Sequence, residues 1–398
     1  MKNSDYVLGL RFPIASARFF TLHFSLFVKL NVTPILHSSF YILHLEHSSF
    51  KNRMPHRPII MMAITLTAMT ILFLLNILIG TVTIPLRAVI DILLGLDTRA
   101  YDASDITIWS NIIWNSRFPQ TVTALLAGAG LAVSGLQMQT VFHNPLAGPS
   151  VLGVSNGASL GVAFVVLLSN SLGGVALSRM GYMGDVAMTV AAMVGSLLVL
   201  ALIIFVAQYV HGNVTLLLIG VMTGYLATAI IGILKFFSAE EDVKAYVVWG
   251  LGCFTRTSGT QLMVFAIVMA ALLPLSMLLI KSMNILLLGE SYARNLGLNI
   301  RRSRSLIIIC SGLLAAVVTA YCGPIMFIGL AVPHLARAMF RTSDHRWLMP
   351  ATLFSGILLT LICSLLSRLP GFEGALPVNS VAALVGAPIV AMMLIKRK

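Results

Sequence analysis

The sequence predicts an all-α integral membrane protein, a bundle of ten transmembrane helices with both ends on the cytoplasmic side. Composition, the length of the apolar runs and the charges between those runs predict it. Apolar residues make up 58% of the chain and charged residues 10%, where a soluble domain carries roughly 45–50% and about 25%. A water-soluble chain of 398 residues with so little polar surface would expose large apolar patches and aggregate. In lipid the same patches face a solvent they prefer.

Crossing the hydrocarbon core of a bilayer takes about 20 mostly apolar residues in a helix. Runs of this kind fall at 59–80, 119–140, 150–169, 186–209, 214–237, 261–281, 305–322, 325–339, 348–368 and 378–395. They are continuous rather than alternating as barrel strands would be, so helices are the spanning element. The eighth, Ile325 to Met339, is short and is expected as a tilted or partial span packed inside the bundle.

An even number of spans returns the chain to the side on which it starts, and charge says which side. With a cytoplasmic C-terminus, the inner connections hold Lys281, Arg294, Arg301, Arg302 and Arg304, then Arg337, Arg341 and Arg346, then Lys396, Arg397 and Lys398. The outer connections hold Asp91, Asp97, Asp102, Asp105, Asp185, Glu240, Glu241, Asp242 and Glu373. Basic inside and acidic outside fits the positive-inside rule, which counts only Lys and Arg. The topology is therefore N-in and C-in. The net charge of +13 is spread over short basic loops, which favours a membrane surface over nucleic acid as its partner.

Residues 1–57 stand apart as an N-terminal extension, ahead of a transmembrane domain over 58–398. They carry five of the nine histidines and several basic residues, among them Arg11, Arg18, Lys29, Lys51, Arg53 and Arg57. No uninterrupted apolar run spans, and no A-x-A cleavage site marks a signal peptide. The segment is expected to be unstructured or surface-lying, and His37, His44 and His47 are expected to belong to it rather than to a metal site. The composition shift makes Met54 a candidate native start.

Cys253, Cys310, Cys322 and Cys363 are isolated, without C-x-x-C spacing, and are expected to be structural. The chain has no phosphate loop, no H-E-x-x-H helix and no G-x-S-x-G elbow, so no catalytic residue and no resident metal or cofactor is expected. Acidic residues are almost absent from the spans. Ion-coupled carriers keep such groups near mid-membrane, so a secondary transporter is the alternative of another class rather than the first reading. Energy is expected from a separate polypeptide.

The conspicuous features lie at the membrane faces. Ala127-Gly128-Ala129-Gly130 and Gly153 to Gly161 are small-residue stretches that let helix backbones approach closely. Leu288 to Leu298 is a polar-apolar segment of about three helical turns in the longest inner connection, and Gly297 suits a helix C-cap. Two readings stay open from spacing alone: a helix that lies in the groove of a soluble partner, or an interfacial helix anchored by arginines.

Several motifs occur in order: Arg117-Phe118-Pro119, Gly128 to Gln137, Asn144-Pro145-Leu146-Ala147 and Leu152 to Ala158. Then come Leu288-Gly289-Glu290 with Ala293 to Gly297, Gly323 to Arg337 through Pro333-His334, Asp344-His345-Arg346, and Gly386-Ala387-Pro388. On these residues the chain, from about residue 70 onward, resembles the permeases of type II ATP-binding-cassette importers for iron-siderophores, haem and cobalamin.

The resemblance implies a ten-helix permease in the cell inner membrane, paired as a dimer, here expected as a homodimer. It implies two cytoplasmic ATPase subunits that hold ATP and Mg, and a substrate-binding protein outside. No cofactor is implied on this chain. The segment near 283–303 matches the family's coupling helices, with Glu290, Ala293, Arg294 and Leu296 as ATPase-coupling residues and Gly297 as the bend. Arg117 and Arg368 match arginines that face the binding protein, while Gln120 replaces a second arginine of the first patch. Ser364 and Ala375 replace two acids, with Glu373 close by. Asn144 and Pro145 are a turn between spans two and three and, with Pro333 and His334, are gate-region or structural residues. His334 is expected to make a helix-end hydrogen bond rather than to ligate metal. Iron-siderophore is the expected cargo, with haem, cobalamin and oxyanions as alternatives. The 20 methionines suit a wide path but also suit irregular packing.

Overall fold

In the computed structural model the described residues are 56–80, 82–96, 101–168, 181–210, 213–257, 259–368 and 376–395. The chain divides into two units, residues 1–60 and 61–398. The first unit contributes to the described chain only the opening residues of the first helix. The expected extension therefore lies outside the described residues, except that His56 and Arg57 are already helical.

Helix α1 runs His56–Leu78, followed by α2 (Leu86–Leu94) and α3 (Ala103–Ile112). A π-helical turn, Ile113–Arg117, joins α3 to α4 (Phe118–Phe142). A 3-10 turn at Pro149–Leu152 leads to α5 (Val154–Leu168), α6 (Tyr182–Ala207), α7 (Asn213–Phe237) and α8 (Glu240–Gly250). Then follow α9 (Gly259–Leu278), α10 (Ile280–Leu286), α11 (Glu290–Asn295), α12 (Ile300–Cys322), α13 (Ile328–Phe340), α14 (His345–Leu366) and α15 (Val378–Ile395). Every apolar run picked out in the sequence coincides with one of these helices. Among the described residues, seven helices are long and apolar enough to cross a membrane, counting α3 through α4 as one, and α5, α13 and most of α15 are shorter apolar helices. At ~1.5 Å per residue the 13 residues of α13 reach about 20 Å, so it is a partial element packed on α4, α14 and α15.

Burial sorts the helices into layers. In its most apolar window α4 is 83% buried, α12 78% and α14 67%, against 11% for α1 and 22% for α9. The first three form the central column, and the others turn Ile, Leu, Met and Phe outward, as lipid-facing helices do. Between lipid-solvated helices, association rests on close packing and hydrogen bonds rather than on hydrophobic exclusion. Both are present. A Cβ on Gly128 would lie 2.5 Å from the Gly356 carbonyl oxygen, one on Gly135 1.7 Å from that of Gly329, and one on Gly195 2.1 Å from that of Gly157. The α4–α14, α4–α13 and α5–α6 crossings are thus backbone against backbone. Buried Ser134 and Ser311 add reciprocal bonds between α4 and α12, each hydroxyl donating to the other's carbonyl at 2.8 and 2.9 Å.

Three helices in the connections are absent from the sequence-based expectation. Helix α2 starts after Pro85 and stops at Gly95, which is left-handed at φ 64°. Helix α8 opens with Glu240, Glu241 and Asp242, a charge pattern that suits the positive end of a helix. Helix α3 continues into α4 although Pro119 follows within one turn. Proline has no N–H for the carbonyl four residues back and clashes with it, and the wider π turn at Ile113–Arg117 accommodates that loss.

Candidate functional site

At the end of the bundle where α4, α10, α13 and α14 terminate or begin, α11 is held out as a short arm. Gly289 at φ 92° and Gly297 at φ 79° bracket it, conformations that L side chains rarely adopt. The Gly297 amide donates to the Arg294 carbonyl and the Leu298 amide to that of Ala293, both at 3.0 Å. This is a Schellman closure, with its apolar contact: Ala293 is fully buried in the cluster that includes Met283, Leu286, Phe340 and Leu348, against which Leu298 packs. Tyr292 is 69% and Leu296 61% exposed on the other side of the arm. Glu290 is ion-paired with Arg304 of α12, while Arg294 is exposed. Of the five residues expected to couple the chain to an ATPase, Ala293 is the buried one and forms the foot of the arm, while Arg294 and Leu296 are exposed.

The base of the arm is tied to the bundle by a network centred on Asn284. Its Oδ1 accepts from the backbone N–H and from Nδ1 of His345, both at 2.8 Å, and its Nδ2 donates to Asp344 at 2.6 Å. His345 Nε2 lies at hydrogen-bond distance, 2.9 Å, from the Thr140 hydroxyl, which also donates to the Leu136 carbonyl. Helices α10, α14 and α4 therefore meet at one buried imidazole, 1% exposed. His143, the left-handed residue that ends α4, adds a bond from Nε2 to the Leu286 carbonyl at 3.0 Å.

Beside this network the structure brings together the four expected gate residues. Asn144 closes its own turn, its Oδ1 accepting from the Leu146 amide at 2.9 Å. His334 Nε2 donates to the Pro145 carbonyl at 2.8 Å, a hydrogen bond that ties α13 to the α4–α5 turn. Pro333 is buried inside α13. One turn further along, Arg337 donates to Gln139, which donates to the Leu330 carbonyl.

The expected docking residues lie at the opposite end of the bundle, and they are turned inward. Arg117 is 3%, Gln120 3% and Arg368 7% exposed. Arg117 donates to the carbonyls of Ile77 and Leu78 at 2.9 and 2.7 Å and to that of Val82. It thereby caps the C-terminus of α1, where unpaired carbonyls and the negative end of the helix dipole favour a cation. Arg368 donates to Asn76 Oδ1 at 2.7 Å and to the Ser364 hydroxyl at 3.2 Å. In this arrangement the guanidiniums of Arg117 and Arg368 donate to oxygen atoms of the chain itself, and Gln120 is buried as well. Arg368→Met would leave Asn76 Oδ1 unpaired in a buried site. It is expected to destabilise the detergent-solubilised chain by about 2 kcal/mol, and an unchanged unfolding temperature would refute the clamp. Glu373 and Ala375 fall outside the described residues.

Asn284, His345, Thr140 and Asn76 do not stand out as site residues in the sequence. Asn76 lies within an apolar run and Asn284 just beyond one, where a lone polar side chain is a signal for a buried partner, but nothing in the sequence says which partner.

The chain matches the FecCD transport family over residues 68–396. It is 35% identical over 289 residues to the vitamin B12 import system permease protein BtuC of Citrobacter koseri, covering 72% of this chain and 83% of that one. It is 33% identical over 292 residues to the hemin transport system permease protein HmuU of Yersinia pestis, covering 73% and 84%. A solved structure described as a metal-chelate type ABC transporter in an inward-facing conformation superposes with a TM-score of 0.71 at 26% identity, covering 84% of this chain and 98% of the other.

Proposed function

Because the chain belongs to the FecCD transport family, we propose that it is the inner-membrane permease subunit of an ATP-driven importer that carries a metal chelate into the cytoplasm. It works as a homodimer, with two cytoplasmic ATPase subunits and an external substrate-binding protein. ATP and Mg belong to the ATPase, and no cofactor belongs to this chain. The bundle crosses ten times with both ends inside, which places α11, the Asn144–Pro145 turn and His334 on the cytoplasmic face.

The observation that carries this reading is the arm. An exposed helix of six residues contributes little to the fold by its outer surface, yet its buried foot and the Asn284–His345 bonds link it to α10, α12, α14 and α4. A partner that grips Arg294 and Leu296 pulls on those helices together. Packed helices shift between discrete arrangements rather than bending continuously, so closure of the ATPases becomes a change of access at the far end of α4. His334 and Pro145 sit where that shift would open or close the inner gate.

An iron chelate, specifically an iron-siderophore, is the proposed cargo. The relatives named for vitamin B12 and hemin support the wider class of metal chelates. Uptake of radiolabelled ferric siderophore, hemin and cobalamin into proteoliposomes holding the full importer tests it. ATP-dependent uptake of the siderophore is expected. Uptake confined to hemin or cobalamin would replace the cargo, and uptake driven by an ion gradient without ATPase would replace the mechanism with a secondary carrier.

A further inference from the structure

Beside the arm lies a cleft of about 560 Å³ between the end of α6 and the start of α12. Its walls carry Arg294, Arg301 and Arg304 against a single acid, Glu290, and Ser305 and Tyr209 add hydroxyls. Half-buried Ala207 and buried Ile308 supply apolar surface. The apolar stretch of α6 ends and that of α12 begins within a few residues of the cleft, so it straddles the edge of the hydrocarbon layer. Exposed Tyr209 stacks edge-on against exposed Phe205, with ring centroids 5.2 Å apart. Such aromatic pairs suit the headgroup level of a bilayer.

We propose that this cleft binds the phosphate of an anionic phospholipid of the inner leaflet. Three guanidiniums present forked donors that match phosphate oxygens, and basic pockets between spans on the cytoplasmic side suit anionic headgroups. The apolar inner wall and the aromatic rim favour a lipid over a free phosphate, because acyl chains leave the cleft along α6 and α12 directly into the bilayer. The site has a consequence for the arm. Arg304 is the partner of Glu290, so a phosphate that recruits Arg304 competes with the contact that pins the first turn of α11 to α12. Anionic lipid thereby sets how freely the arm moves. This inference rests on the orientation proposed above only for naming the leaflet.

Thermal unfolding of the full chain in nanodiscs of phosphatidylcholine alone, and of phosphatidylcholine with phosphatidylglycerol, tests it without ATPase or transport, so its failure is separate from a failure of the importer reading. Phosphatidylglycerol is expected to raise the unfolding temperature by a few degrees, and R301Q and R294Q are each expected to remove at least half of that shift. R346Q, at an exposed arginine outside the cleft, is expected to keep it. No shift in the wild type, or equal loss in R346Q, overturns the site as a general charge effect. An equal shift from inorganic phosphate in phosphatidylcholine discs overturns the lipid assignment. If the variants do not fold, native mass spectrometry of the wild-type chain decides instead. Retained phosphatidylglycerol that inorganic phosphate does not displace supports the site, and its loss on mild delipidation refutes it.

Discussion

Gly135→Val is expected to prevent recovery of a folded, monodisperse protein in detergent, and Gly135→Ala to lower the unfolding temperature by several degrees. The cause is geometric. A methyl at position 135 would sit 1.7 Å from the Gly329 carbonyl oxygen and 2.5 Å from its carbon. Those are backbone atoms of α13, which cannot rotate aside as a side chain would. Helices α4 and α13 must separate, loosening the His334–Pro145 and Gln139–Leu330 bonds that span the same crossing. Overpacking a tight core costs about 1–3 kcal/mol and sometimes more, and a clash between two backbones belongs at the upper end. Gly232→Ala is the matched control. Position 232 lies within α7, where an added methyl would meet nothing within 4 Å, so alanine there is expected to be neutral or to stabilise by up to about 1 kcal/mol. Equal losses at the two positions would contradict the packing described for α4 and α13.

Arg294→Glu is expected to uncouple ATP hydrolysis from uptake. Arg294 is exposed on the arm and makes no contribution to its core, which rests on Ala293 and Leu298. Reversing its charge therefore leaves the bundle folded while placing like charge where a partner's acid is expected, a change that costs several kcal/mol at an interface. Chelate uptake should fall by about tenfold or more, since each 1.4 kcal/mol is a factor of ten. ATPase activity should continue, and the unfolding temperature in uncharged detergent should change little. Leu296→Asp, at the other exposed contact, is expected to weaken association with the ATPase without unfolding the chain. Normal coupling in both variants would exclude α11 as the transmitting element.

The spans are legible in the sequence because length and hydropathy are local properties, and lipid makes the same demand on each of them. Their lateral order is not. The stretch Ala127 to Gly130 signals close packing, but that Gly128 meets Gly356 depends on residues more than 200 positions apart in sequence, which hydropathy does not record. The π turn before Pro119 escapes a reading by hydropathy because the polar residues Asn111, Asn115 and Arg117 end the apolar run there, although the helix continues through them. The candidate site is legible in part. Gly297 marks the end of the arm by its conformational freedom, and Asn144-Pro145 reads as a turn. Which face of the arm is buried depends on Phe340 and Leu348, so local sequence does not say on which side of the arm Ala293 lies. Arg117 and Arg368 are visible as charges at the ends of apolar runs, but the C-terminal carbonyls of α1 that draw them inward are supplied by the fold.

The most direct test of the central claim is affinity purification of the tagged chain from membranes in mild detergent, followed by ATPase measurement with and without a chelate-loaded binding protein. A membrane subunit that transmits ATP hydrolysis through α11 predicts copurification of a soluble ATPase whose turnover rises when the loaded binding protein is added. A stable preparation that lacks any ATPase, yet transports chelate in liposomes on an ion gradient, would contradict it.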